Sequence, residues 1–143
     1  MPLANYSTSI AAAKTAGEIQ GMLAGAGAKA IITEYDDEAY ISALAFQVPG
    51  PQGDLSIRLP VDAQATLKVM QKDGLPSRFC TMDHARRVAW RIIKDWLRAQ
   101  LALLETEMVR MEEIFLPYVI TQSGETVYQI MRRRNFELPE GRG

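Results

Sequence analysis

The sequence predicts an α+β fold: a small antiparallel sheet of about three strands, arranged as a β-meander and packed with helices, one of them long and in the C-terminal half. Three observations predict it. Between Ala30 and Pro60 the residues are β-branched or alternate with period two. The proline and glycine turn PGPQGD (Pro49–Asp54) interrupts that stretch, and from His84 onward apolar residues recur at helical spacing. With 143 residues and no low-complexity linker, the chain is expected to form one domain over 1–143, with 1–8 and 135–143 as flexible tails.

In order along the chain, Ser7, Thr8 and Ser9 announce a helix through Leu23, because Ile10, Ala13, Ala16, Ile19 and Leu23 approximate one stripe. Gly25 and Gly27 stop it. AIITEY (Ala30–Tyr35) and AYISALAFQV (Ala39–Val48) read as strands flanking the acidic turn Asp36-Asp37-Glu38, and LSIRLP (Leu55–Pro60) completes a hairpin. Alternation places Leu44, Phe46 and Val48 on one face with Leu55, Ile57 and Leu59. The other face holds Ala43, Ala45, Ser56 and Arg58 and reads as solvated. Asp62 is placed to cap a helix that Gly74 and Pro76 terminate, and Gly124–Arg134 reads as the last helix.

HARRVAWRIIKDWLRAQLALLETEMVRM (His84–Met111) reads as a single helix of about 28 residues, or roughly 40 Å. Residues about 100° apart separate two apolar stripes on it. Val88, Ala89, Ile92, Trp96, Ala99 and Leu103 form one; Trp90, Ile93, Leu97, Leu101, Leu104, Met108 and Met111 form the other, with the spacing of a coiled-coil seam. Both need cover. Self-association through the second stripe supplies it economically, and a C-terminal helix folding back is the alternative.

The remaining sector carries Arg87, Arg91, Lys94 and Arg98 at offsets of four, three and four, so their ends line one face. Such a row suits phosphates, although a solvated face is the ordinary reading because the same sector turns acidic at Glu105 and Glu112. Arg58 on the sheet and Arg132, Arg133 and Arg134 at a helix end are possible additions; the last three also suit the helix dipole.

Catalytic signatures are absent. Cys80 and His84 are the only Cys and His, so neither a thiol–imidazole pair nor a zinc site is favoured. The acidic trio belongs to a turn, Glu112-Glu113 to a helix, and the glycines of GMLAGAGAKA end a helix without a following Gly-Lys-Ser/Thr. No metal or cofactor is expected. A net charge of −1 makes any attraction to nucleic acid local. Apolar runs are too short to cross a bilayer, MPLANYSTSI has no signal-peptide pattern, and one cysteine permits no internal disulfide, so no membrane association and a cytoplasmic location in a bacterial host are expected.

YSTSI, KTAGEIQGML, the strand ending in IRLP, RVAWRIIKDWLRAQLALLE, EEIFLPYVI and GETVYQIM occur in an order that resembles a widespread family of small phage and prophage proteins, over roughly Tyr6 to Met131. Three strands with a long helix also look like the core of single-strand annealing proteins. The resemblance implies a mobile-element origin near replication and recombination genes, and supplies no site residues. The resulting expectation is a non-enzymatic, oligomeric protein that binds nucleic acid, single-stranded DNA first, in recombination or replication. The alternatives are a counter-defence protein that binds a host nuclease complex or immune effector, and an oligomeric nucleotide sponge.

Overall fold

The computed structural model describes residues 2–138 and has the α+β architecture. Helix α1 (Ala12–Gly25) leads into strands β1 (Ala30–Tyr35), β2 (Ile41–Gly50) and β3 (Gly53–Arg58), an antiparallel meander in the order β1-β2-β3. Helices α2 (Ala63–Lys72), α3 (Met82–Glu105), α4 (Met111–Phe115) and α5 (Val127–Arg133) follow.

The alternation of the hairpin sets its register. Phe46 stands opposite Ile31 on one side and Ile57 on the other, and Val48 stands opposite Leu55. Leu44, Phe46, Val48, Ile57 and Leu59 are buried as a result, while Ile32, Glu34 and Arg58 on the opposite face are exposed. The tight turn depends on two glycines: Gly53 has φ +127°, and a Cβ on Gly50 would lie 2.6 Å from the Gly53 carbonyl oxygen.

Helix α3 is the spine. Trp90, Ile93 and Leu97 face the sheet and the Ala16, Ile19 and Leu23 stripe of α1 in the main core. Val88 and Ala85 face Met70 of α2 in a second cluster, joined by Ile92. The starts of α2 and α3 have matching caps: Asp62 accepts from the Ala65 N–H, and the Thr81 hydroxyl accepts from the His84 N–H.

Two expectations about this helix are corrected. It does not run to Met111 but ends at Glu105, where Thr106 bonds back to the Leu103 carbonyl and Glu107 takes φ +62°. No basic residue occupies its last turn, and Glu105 and Glu107 oppose the negative end of the helix dipole. The stripe proposed as an oligomer seam is also largely the chain's own core. Trp90, Ile93 and Leu97 are buried there, and Leu101 and Met111 pack against it. Of the remaining two, Leu104 lines a surface groove and Met108 is 70% exposed.

The break after Glu105 lets the chain double back. Phe115 enters the core edge-to-face with Phe46 at 5.4 Å and with Trp96 at 5.9 Å; Tyr118 stacks edge-on to Trp96 at 5.6 Å. Val119 then bridges to Ile57, and the Ile120 N–H donates to the Ser56 carbonyl at 2.8 Å, which covers the free edge of β3. Most of both stripes of α3 is therefore covered within one chain, α2 and the 115–118 segment adding to what the sheet and α1 cover, while Ala99 and Met108 stay exposed. The covered part of these stripes needs no second subunit.

The N-terminal segment, expected as a tail, is docked. The Leu3 N–H donates to Asp73 at 3.2 Å, Asn5 donates to Asp95 at 2.9 Å, and the Tyr6 ring packs edge-on to Phe79 at 5.7 Å. Its carbonyl group at Tyr6 also hydrogen-bonds the His84 ring. Of the expected C-terminal tail, 139–143 lie outside the described residues.

If the doubled-back segment is part of the core, Phe115→Ala should cost about 3–5 kcal/mol. Met108→Ala should stay within about 0.5 kcal/mol, since its side chain is at the surface. Urea titrations of both variants decide this: equal losses contradict the chain reversal after Glu105.

Candidate functional site

The row of bases on α3 is mostly matched internally. Glu18 of α1 reaches across the helix interface and holds two of its members, Lys94 through a short contact and Arg91 at 3.3 Å. Lys94 is only 7% exposed. Arg87 pairs with Asp83 one turn earlier at 3.1 Å, and Arg98 is the one member of the row that is both exposed and outside any ion pair among the described residues. Arg91 and Lys94 are thus corrected from phosphate ligands to an interhelical joint, because a cation leaving water at a packed interface needs a counter-charge. The Lys94 hydrogen bond, together with the positive charges of Lys94, Arg91 and Lys14, holds the Glu18 carboxyl below the ordinary carboxylate range against the opposing effect of its partial burial.

On the sheet, Arg58 pairs with Glu34 at 2.8 Å, both at the surface. The arginines of α5 are arranged differently. Thr126 caps this short helix through the Gln129 N–H, and its last turn presents Arg132 and Arg133, with Arg134 following. Arg133 pairs with Glu125 at 3.0 Å, whereas among the described residues Arg132 bonds only the Tyr128 hydroxyl, at 3.2 Å. Arg134 has no side-chain partner among the described residues. Beside them the rings of Tyr128 and Phe136 lie 6.2 Å apart, 43% and 57% exposed. Exposed rings and bases share this one surface.

A second constellation escapes a reading by charge pattern. Arg86 lies on the same stripe as Trp90, Ile93 and Leu97, one turn before the core begins. Its guanidinium sits 4.0 Å above the Tyr40 ring, its side chain is 16% exposed, and it forms a wall shared by two clefts of about 380 and 300 Å³. The larger cleft also takes in Arg87, Tyr35, Tyr40, Ala13 and Gly17. The sequence signal was an arginine extending an apolar stripe, which demands a specific partner for its charge.

The remaining candidates are structural. The Cys80 thiol donates weakly to the carbonyls of Met70 and Leu75, and His84 packs on Phe79 with ring centroids 5.0 Å apart. Asp36 folds its own turn by accepting from the N–H groups of Glu38 and Tyr40 at 2.9 and 3.0 Å. Among the described residues, no helix is long and apolar enough to cross a membrane.

The fold and these sites define an α+β protein with a three-stranded antiparallel meander, in which arginine meets an aromatic residue at Arg132–Tyr128, at Arg86–Tyr40 and, over the ring of Phe79, at Arg78. Comparison with protein-family models, with curated proteins and with solved structures finds no match to this chain.

The interhelical joint has a pH signature. Folding lowers the proton affinity of Glu18, so the contribution is present above the unfolded carboxylate pKa and is lost as pH falls through that range toward the lowered folded value. Glu18→Gln leaves Lys94 without its counter-charge and should lower the melting temperature at neutral pH. The gap to wild type should narrow progressively as pH falls below the ordinary carboxylate range. Thermal melts from neutral pH to below that range test it; a gap independent of pH contradicts the role assigned to Glu18.

Proposed function

We propose that the protein is a non-enzymatic binding protein for single-stranded nucleic acid and that the surface around α5 makes the contact. The observation that carries this reading is the grouping of Arg132 and Arg134, neither held by a carboxylate among the described residues, with the exposed rings of Tyr128 and Phe136. Unstacked bases offer flat faces to aromatic side chains whatever their sequence, and arginine neutralises the adjoining phosphates. The internally matched row on α3 contributes through Arg98 at most. A role on single-stranded intermediates of recombination or replication accords with the resemblance to phage and prophage proteins.

Titration of a fluorescent oligothymidylate at several salt concentrations tests the reading. The double variant Arg132→Glu/Arg134→Glu should weaken binding and reduce the steepness of the salt dependence by about 1.4 in the log–log slope, the release expected for two phosphates on a single strand. Tyr128→Ala should cost about 1–3 kcal/mol of binding if one base stacks there. Affinity unchanged in both variants overturns the assignment of this surface.

A further inference from the structure

Arg86 is an unusual cation for this molecule. Lys94 and Arg91, the other cations drawn into the helix packing, share Glu18, but the nearest carboxylate to Arg86 is Asp36 at 3.8 Å, beyond hydrogen-bond reach. Asp36 meanwhile spends its other oxygen on the backbone of its own turn. Among the described residues, no protein acceptor lies within hydrogen-bond distance of the Arg86 guanidinium. The Tyr40 ring contacts the group from one side, 4.0 Å from its centroid, a cation–π contact that does not satisfy the N–H donors. The Arg86 N–H donors border two clefts, where an oxyanion matches their charge and geometry.

The larger cleft extends that requirement into a shape. Arg87 borders it, and so does the first turn of α1, which begins at Ala11 with no side chain to cap it. Its floor is the flat surface of Ala13 and Gly17, and Tyr35 stands at its margin, 64% exposed. At about 380 Å³ the space exceeds what a bare phosphate fills and lies in the range of small-ligand sites.

We propose that this cleft binds a nucleoside monophosphate. The phosphate lies against Arg86 and Arg87, displacing Asp83 from Arg87, and the base lies on the Ala13 and Gly17 floor against Tyr35. This site is separate from the surface around α5 and does not rest on the nucleic-acid reading.

The test is calorimetric titration of the full chain with the four common ribonucleoside 5′-monophosphates, the matching nucleosides and inorganic phosphate. Two variants accompany the wild type. Arg86→Gln removes the charge, and Gly17→Leu fills the cleft at a position where an added Cβ meets nothing within 4 Å, so the fold is retained. At least one monophosphate should bind the wild type, bind at least tenfold more weakly to Arg86→Gln, and be excluded by Gly17→Leu while that variant melts near the wild-type temperature. The nucleosides should bind far more weakly. Arg132→Glu/Arg134→Glu should leave this binding unchanged, which separates its failure from failure of the α5 surface. No binding of any monophosphate, binding indifferent to both cleft variants, or inorganic phosphate binding as tightly as the nucleotide each overturns the proposal.

Discussion

The carboxylate of Glu18 decides what the long helix is for. It stands on α1 and accepts from Lys94 and Arg91 of α3, so the two helices close over the sheet with their charges matched rather than repelled. Without that acid, Lys94 would be a lone cation at a packed interface, and its burial would oppose the apolar contacts of Ile19, Leu23 and Leu97 beside it. A row of bases that looks like a binding ridge is, in three dimensions, half a joint. What the joint uses is unavailable to a ligand.

The rest of the architecture follows from α3 being covered on both sides. The sheet and α1 take one stripe, α2 takes part of the other, and the break after Glu105 returns Phe115 and Tyr118 to cover more of it. Each closure buries apolar surface of α3 against the chain's own segments. Cations less tightly held by this packing collect where the chain makes its last turns, around α5, and at the head of α3, where Arg86 has Asp36 of the β1–β2 turn as its counter-charge at 3.8 Å, beyond hydrogen-bond reach. The two surfaces pair arginine with an aromatic ring in different ways: Tyr128 bonds Arg132 through its hydroxyl, whereas Tyr40 presents its face to Arg86.

Local chemistry was legible in the sequence and long-range matching was not. Period-two alternation from Leu44 to Leu59 set the buried face of the sheet, and Asp62 marked a helix start, because each signal acts within a few residues. Glu18 and Lys94 are 76 positions apart, and nothing near either one shows that they meet. The same separation concealed the anchoring of Leu3, Asn5 and Tyr6 on α2, α3 and the segment before α3. The helix break was overlooked because apolar spacing continues through Met108 and Met111, while the opposing acids at its end are a weaker signal than periodicity. Arg86 was passed over because it lies off the row of Arg87, Arg91, Lys94 and Arg98, at the head of the Trp90, Ile93 and Leu97 stripe.

The central claim is that the bases of α3 are structural and that anions are met elsewhere. Nuclear magnetic resonance of the arginine side-chain Nε–H groups, followed during titration with an oligothymidylate, tests it most directly because each guanidinium reports for itself. The account predicts that Arg132 and Arg134 shift while Arg91 stays fixed, held by Glu18. A shift of Arg91 comparable to theirs, with loss of its contact to Glu18, would contradict it and restore the face of α3 as the binding ridge.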